Sequence, residues 1–141
     1  MKKILILCSG NSCRSQMAEA LFNKYGEGKL EVVSAGLEPK PVHPLTIEAM
    51  KEIGIDISGN KSKSVKEFLG KATFDYIIFV CDRAERNCPH IYPNVSKRIS
   101  WSLQDPAEAT GTKEERLAAF RIIRDNISEL VRKWLIIENY E

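Results

Sequence analysis

The segment KILILCSGNSCRSQMAEALFNKY, Lys3–Tyr25, carries the pattern that decides the fold. Its apolar beginning, Lys3–Leu7, predicts a buried β-strand, and Ser15–Tyr25 has the apolar periodicity of a helix whose buried face is formed by Met17, Ala18, Leu21 and Phe22. Between them lies Cys8–Ser15, a loop of mostly small residues. A strand, a tight loop and a helix in this order predict the first unit of an α/β domain.

The same alternation of apolar runs and turns continues along the chain. It predicts strands at Leu30–Ala35 (closed by Gly36), Phe74–Val80 and Lys97–Trp101, and helices at Leu45–Ile53 and from Glu114 to about Ile137. The last helix is amphipathic, and its apolar stripe is Leu117, Phe120, Ile123, Ile127, Leu130, Val131 and Trp134. The pattern is typical of one three-layer α/β domain, residues 1–141, around a mostly parallel sheet.

Composition and charge narrow the class of protein. The chain has 141 residues, 43% of them hydrophobic, which suits one globular domain. Its 21 basic and 19 acidic side chains leave a formal net charge of +2, so we expect neither nucleic acid nor a membrane surface as partner. No apolar stretch is long enough to span a bilayer, and no signal-peptide pattern is found, so the expected location is the cytoplasm. There, four cysteines favour catalytic, redox or metal-binding roles over structural disulfides.

The loop Cys8–Ser15 has the features of an oxyanion site. It follows a strand, at the edge where open α/β sheets bind ligands, and precedes a helix whose positive end points at the same place. Its small residues allow successive backbone N–H groups to converge on an anion. Arg14 adds a guanidinium fork that matches two oxygens of a phosphate-like group. We therefore predict that a tetrahedral oxyanion binds to Ser9, Gly10, Asn11, Ser12, Cys13 and Arg14.

Cys8 opens this loop and is the candidate nucleophile. Unpaired N–H groups, a helix N-terminus and a guanidinium all favour the thiolate form, and Ser15 is placed to donate a hydrogen bond to it. The alternative is a plain Gly/Ser turn with a buried cysteine. Displacement at the oxyanion also requires an acid for the leaving oxygen, and Asp105, before Pro106, is the best candidate. The alternative for Asp105 is a turn residue that caps the following segment.

Several motifs together resemble the low-molecular-weight protein tyrosine phosphatase superfamily, and more narrowly the thioredoxin-coupled arsenate reductases built on that scaffold. The resemblance covers nearly the whole chain. The motifs are GNSCRSQMAEA (Gly10–Ala20), SAG (Ser34–Gly36), IEAMKEIGIDIS (Ile47–Ser58), the pair Cys81 and Cys88 before Pro89, and DPAEATGTKEE (Asp105–Glu115).

This resemblance implies a flavodoxin-like fold with the parallel strand order 2-1-3-4. It implies that Cys8 attacks arsenate or phosphate, that Arg14 and the loop amides bind the oxyanion, and that Ser15 stabilises the thiolate. Asp105 would be the general acid, and Asn11 would hold the shape of the loop. Cys81 and Cys88 would be the second and third redox cysteines. External thioredoxin would be the reductant, with glutaredoxin or another low-molecular-weight thiol as the alternative. There would be no bound cofactor or metal, and the protein would be a monomer.

The positions of Cys81 and Cys88 bear on the type of reaction. Cys81 follows a predicted strand, so it lies at the same edge of the sheet as Cys8. If Asp82–Asn87 is helical, Cys81 and Cys88 are about 10 Å apart, which exceeds the roughly 4.4–6.8 Å that a disulfide spans. A bond between them would require this segment to unwind. The alternatives are two ordinary core residues, or a zinc site, whose usual cysteine spacing is absent.

The chain departs from related patterns at a few positions. Gln16 replaces the proline that usually follows the Arg-Ser of tyrosine phosphatases, and Ala107–Ala109 lacks aromatic residues to stack on phosphotyrosine. A phosphatase is the alternative enzyme, and an oxyanion-binding or redox-sensing module is the alternative outside enzymes. Some arsenate reductases bind potassium beside the loop. Here Asn11, Glu19 and Ser34 match three ligand positions, and Lys63 replaces the fourth, so we expect its ammonium to substitute for the ion.

Two histidines and one tryptophan receive weaker predictions. His43 and His90 show no convincing partners, and we expect them on the surface or in loops. Trp101 is expected either to position the loop of Asp105 or to pack in the core.

Overall fold

The computed structural model describes residues 1–68, 73–81 and 97–139. Its strands are β1 (Lys2–Cys8), β2 (Leu30–Gly36), β3 (Tyr76–Phe79) and β4 (Lys97–Ser100). Its helices are α1 (Arg14–Tyr25), α2 (Pro44–Lys51) and α3 (Lys113–Ile137), with short 3-10 turns at Val65–Glu67 and Pro106–Glu108. Each predicted strand and helix is present, with ends shifted by a few residues.

The four strands form one sheet in the order β2-β1-β3-β4, and every pair is parallel. This confirms the predicted α/β fold and strand order. The central strand β1 is apolar throughout because both of its faces are covered, and Ile4 and Leu7 are fully buried. Cys8 is the last residue of β1 and pairs with Gly36 at the end of β2. The nucleophile candidate therefore lies at the carboxyl edge of the sheet.

Helix α3 packs on α1 through aromatic contacts. Phe22 of α1 meets the Trp134 ring edge-on with a centroid separation of 5.4 Å. The ring of Phe22 also stacks on the ring of Trp101, with a centroid separation of 5.9 Å and an interplanar angle of 4°. Of the two roles expected for Trp101, this contact supports core packing. The predicted stripe of α3 is buried except for Leu130, which is half-buried.

Helix α2 begins one residue earlier than predicted because of His43. The His43 Nδ1 accepts a hydrogen bond from the backbone N–H of Leu45 at 3.1 Å, and Pro44 occupies the first turn, where a missing N–H costs nothing. The imidazole also lies 4.8 Å from the ring of Phe120, and its burial lowers the pKa of His43. The expectation that His43 has no partners is wrong, whereas His90 lies outside the described residues.

None of the helices within the described ranges is both long and apolar enough to cross a membrane.

Candidate active site

The thiol of Cys8 is buried and hydrogen-bonded at the start of the loop. It is 2% exposed, and its Sγ lies 2.8 Å from the Ser15 hydroxyl oxygen. The backbone N–H of Asn11 donates to the same sulfur at 3.0 Å. These contacts come from the middle and the far end of the loop, so the loop closes around the sulfur. The arrangement fits the predicted thiolate, since two donors converge on it.

Four carbonyl groups of the loop accept hydrogen bonds from the segment that follows β2. The carbonyls of Cys8, Ser9 and Gly10 accept from the N–H groups of Leu37, Glu38 and Lys40 at 3.2, 2.8 and 2.9 Å. The carbonyl of Ser12 accepts from the N–H of His43 and the hydroxyl of Thr46. In a trans peptide the N–H group points opposite to the carbonyl, so the loop amides face inward, as that of Asn11 does. The segment after β2 thus orients the anion-binding amides.

Asn11 holds the loop in a conformation that few residues adopt. Its φ is +52°, in the left-handed region where asparagine is tolerated, and the side chain is fully buried. The side-chain oxygen accepts from the backbone N–H of Lys63 at 2.9 Å, which fixes the orientation of the amide. The Asn11 NH₂ group then donates to the hydroxyl oxygens of Ser15 and Ser34 at 2.8 and 2.9 Å. These bonds fit the loop-shaping role predicted for Asn11.

The same bonds decide where the hydroxyl hydrogen of Ser15 points. Because the Ser15 oxygen already accepts from Asn11, its single hydrogen is available for the Cys8 sulfur 2.8 Å away. A thiolate can only accept, so Ser15 would be the donor in that state. The predicted support of the sulfur by Ser15 thus has a matching geometry.

Gln16 is a supporting residue that the sequence analysis noted only as a departure. Its side chain is fully buried, and its NH₂ group donates to the carbonyl and the side-chain oxygen of Asn11, both at 3.1 Å. Its side-chain oxygen accepts from Asn60 at 3.2 Å. These bonds connect the loop to residues 60–63. A proline at this position could make none of them.

Arg14 is buried beside the loop and has an unused donor. Its Nη1 donates to the carbonyl of Leu103 at 2.9 Å, whereas its Nε is buried and has no hydrogen-bond partner among the described residues. Its Nη2 lies 3.7 Å from the Asp105 carboxylate. The Nε and Nη2 atoms form the edge of a guanidinium that grips two oxygens at once. A buried donor without a partner is costly, so this edge is suited to binding an anion.

Asp105 fits both roles considered for it. One carboxylate oxygen accepts from the N–H of Ala107 at 3.0 Å and caps the 3-10 turn that follows. The other lies toward Arg14, and Asp105 lines the same cavity as Cys8. The cap fixes the position of the carboxyl group, which leaves its second oxygen available to an oxyanion.

A cavity of about 100 Å³ joins these groups, a size suited to a small tetrahedral anion. One of its residues, Lys40, was not singled out from the sequence, since it belongs to no recognisable chemical motif. The small side chain of Ala107 agrees with the predicted lack of a stacking surface for an aryl ring. The cavity is lined by Cys8, Ser9, Gly10, Ser12, Cys13, Arg14, Lys40, Asp105 and Ala107.

Gly36 supports the loop because its backbone lies close to the backbone of the loop. A Cβ at this position would lie 2.7 Å from the N of Asn11 and 2.8 Å from the carbonyl oxygen of Ser9. Both atoms are backbone, so neither can rotate away. Gly36 is required here by the proximity of the loop, because its φ is not in the left-handed region.

We expect the change Gly36→Ala to weaken binding of inorganic phosphate about thirtyfold and to lower stability by roughly 2 kcal/mol, because the methyl group displaces the loop. Protection of Cys8 from iodoacetamide would measure the first effect, and thermal unfolding the second. Gly59→Ala is the matched control, since a Cβ there meets nothing within 4 Å. Unchanged protection in Gly36→Ala would contradict the proposed support.

Glu19 and Lys63 form an ion pair behind the loop, at the position where potassium was considered. The Lys63 Nζ lies 4.0 Å from Glu19 Oε1, which also accepts from the N–H of Ser34 at 2.9 Å. The oxygens of Asn11 and Ser34 are occupied by hydrogen bonds. The Lys63 ammonium thus lies beside Glu19, at the place where the sequence analysis expected it to substitute for the ion. Burial raises the pKa of Glu19, and Lys63 and Ser34 oppose this effect.

This pair gives a pH-dependent prediction for Lys63→Met. Because its pKa is raised, Glu19 holds its proton more tightly in the folded chain, so stability is lost as rising pH ionises it. Without Lys63 the loss of stability on ionisation of Glu19 is larger. We therefore expect the melting temperature of Lys63→Met to fall more at pH 8 than at pH 5. Lys66→Met, an exposed lysine nearby, is the control. A potassium requirement for phosphate binding by the unmodified protein would contradict the role of Lys63.

The remaining cysteines, Cys13, Cys81 and Cys88, are placed differently from Cys8. Cys13 is 5% exposed and lies within reach of Thr46, and burial raises the pKa of its thiol, as suits a packing role. Cys81, also 5% exposed, follows β3, which pairs directly with β1. It therefore lies at the same edge of the sheet as Cys8, as expected. Cys88 and the segment Asp82–Asn87 lie outside the described residues, so the predicted unwinding stays a prediction.

Comparison with known proteins agrees with the geometry. Residues 3–140 match the family model of the low molecular weight phosphotyrosine protein phosphatases. An arsenate reductase of Halalkalibacterium halodurans is 46% identical over 132 residues, which are 93% of each chain. A solved arsenate reductase in the phosphate binding state is 36% identical and superposes with a TM-score of 0.81 over 96% of this chain and 98% of that one. The thioredoxin-dependent arsenate reductase of Corynebacterium glutamicum is 29% identical, with a TM-score of 0.74, over 100% of this chain and 64% of that one.

Proposed function

The chain belongs to the low molecular weight phosphotyrosine protein phosphatase family and, within it, to the arsenate reductases, and on this premise we propose that it reduces arsenate to arsenite. One observation carries the proposal. The buried Cys8 sulfur shares a small cavity with an Arg14 guanidinium whose Nε has no partner within the described ranges. The cavity thus pairs a nucleophile with a binding edge for the oxygens of its target.

The first step is attack by the Cys8 thiolate on arsenic. A sulfur–arsenic bond forms while an arsenic–oxygen bond breaks, and Asp105 donates a proton so that the oxygen leaves as water. The loop amides and Arg14 hold the remaining oxygens. These groups are already oriented by hydrogen bonds, so little reorganisation is required when charge shifts onto the oxygens.

The second step requires another thiol, and we assign it to Cys81. Its thiolate attacks the Cys8 sulfur, a disulfide forms, and the electron pair of the sulfur–arsenic bond passes to arsenic. Arsenic is thereby reduced from As(V) to As(III), and arsenite leaves. Supporting this assignment, Cys81 follows the strand that pairs with the strand of Cys8.

In the third step Cys88 attacks Cys81, which transfers the disulfide to the pair Cys81–Cys88 and releases the Cys8 thiolate. A thioredoxin dithiol then reduces that disulfide and is itself oxidised. Support for thioredoxin comes from the Corynebacterium glutamicum relative, which is described as thioredoxin-dependent. We propose no bound cofactor, and a monomer working in the cytoplasm.

A phosphatase working through a phosphocysteine at Cys8 is the second candidate. The observation that favours it is that Asp105 lines the same cavity as the Cys8 thiol, which suits protonation of any leaving oxygen. Ala107 in the cavity wall argues against a specific aryl substrate, since it offers no ring surface.

The test is arsenate-dependent NADPH oxidation in the presence of thioredoxin and thioredoxin reductase, with Cys8→Ser as the blank. Hydrolysis of p-nitrophenyl phosphate would be measured with the same preparations. Arsenate-dependent oxidation, together with a Cys81–Cys88 disulfide in arsenate-treated protein, supports the proposal. Efficient phosphate hydrolysis without arsenate-dependent oxidation would favour the phosphatase instead.

A further inference from the structure

Lys40 lines the oxyanion cavity together with Cys8, Arg14 and Asp105. Lys40 lies in the segment after β2, and it comes close to the cavity only when the chain folds. Within the described ranges no carboxylate lies within ion-pair distance of its ammonium, in contrast to Lys63, which pairs with Glu19. Its charge is therefore available to a ligand of the cavity.

The backbone of Lys40 is held on the loop from both sides. Its N–H donates to the Gly10 carbonyl at 2.9 Å, and its carbonyl accepts from the hydroxyl of Ser62. The Ser62 hydroxyl oxygen also lies 2.9 Å from the Asn11 carbonyl, so the single hydroxyl hydrogen is shared between the loop and Lys40. Proline on either side, Pro39 and Pro41, further restricts the backbone. Although the side chain is exposed, its origin is fixed relative to the oxyanion loop.

The aliphatic part of Lys40 runs along Gly10. Its Cβ, Cγ and Cδ atoms all lie 3.7 Å from the position that a Cβ of Gly10 would take. Packing of the methylene groups on the loop reduces the freedom of the side chain.

The charges around the cavity show why a second cation matters. The Cys8 thiolate offsets the charge of the single Arg14 guanidinium, so these two groups together have no net attraction for an anion. The Lys40 ammonium adds one positive charge, and its attraction for a ligand is proportional to the charge of that ligand.

We infer that Lys40 determines specificity for the charge of the ligand, favouring dianionic over monoanionic tetrahedral oxyanions. This inference rests on the proposed function only in that the cavity binds an oxyanion. Lys40 acts through its charge on binding, so it affects KM for arsenate and leaves kcat nearly unchanged.

The experiment compares two ions of the same shape and different charge, sulfate and perchlorate, at one pH. Each ion would protect Cys8 from iodoacetamide, with alkylation read at the Cys8 peptide by mass spectrometry. We expect Lys40→Met to weaken protection by sulfate about tenfold and by perchlorate about threefold, because the Coulomb energy scales with ligand charge. In Lys40→Arg, protection of Cys8 should be within threefold of that in the unmodified protein. The exposed control Lys66→Met should match the unmodified protein.

Equal losses for both ions in Lys40→Met, or no loss, would overturn the inference. Arsenate kinetics on the same variants separate this result from the proposed function. If the unmodified protein reduces arsenate and Lys40→Met keeps its KM and sulfate protection, only the role of Lys40 fails. If charge-selective protection is lost in Lys40→Met but no variant reduces arsenate, the role of Lys40 stands and the proposed reaction fails.

Discussion

Replacing Cys81 with serine is expected to abolish repeated arsenate reduction, by at least a thousandfold, while hydrolysis of p-nitrophenyl phosphate stays within about threefold of the unmodified rate. Serine has nearly the same size as cysteine, so the buried site at the end of β3 should keep its packing. A hydroxyl, however, cannot attack the Cys8 sulfur to form a disulfide. The phosphatase reaction does not require this thiol, because water resolves a phosphocysteine.

The two rates serve as controls for one another. Retained phosphate hydrolysis shows that the fold and the Cys8 site are intact, and arsenite release measures the redox step. In Cys88→Ser the first disulfide can still form, so we expect a single equivalent of arsenite and then arrest. If Cys81→Ser reduced arsenate at the unmodified rate, the proposed cascade would be wrong.

The second large effect is expected for Arg14→Lys, with kcat/KM for arsenate lowered about a thousandfold. An ammonium keeps the charge but loses the edge formed by Nε and Nη2, and with it the grip on two oxygens. It also loses the bond that Nη1 donates to the carbonyl of Leu103. Steady-state kinetics with the thioredoxin system would measure the change.

Arg124→Lys is a closely matched control. Arg124 is as buried as Arg14, at 8% exposed for both, and its Nη1 donates to the carbonyl of Ala49 at 2.8 Å. It joins α3 to α2 through Glu52 and does not line the cavity. We expect this variant to lose stability and retain turnover. An equal loss of kcat/KM in both variants would mean that Arg14 acts through general stability alone.

Local sequence patterns were sufficient for most of the fold. The apolar run before Cys8 and the helical period after Ser15 are short-range features, and the structure confirms both. The predictions were wrong where a tertiary contact affects the end of a helix. His43 is an example, since its ring packs on Phe120 of α3 while its nitrogen caps α2. The packing on Phe120 cannot be predicted from the residues beside His43.

The sequence by itself determined the α/β fold, the loop Cys8–Ser15 and its candidate chemistry, because the atoms involved are close neighbours along the chain. Only the tertiary structure brought Lys40 to the cavity and placed Gly36 against the Asn11 backbone. The physical reason is that each of these contacts joins strands and loops that meet only when the parallel sheet forms. Their energies depend on distances between segments, which composition and periodicity do not encode.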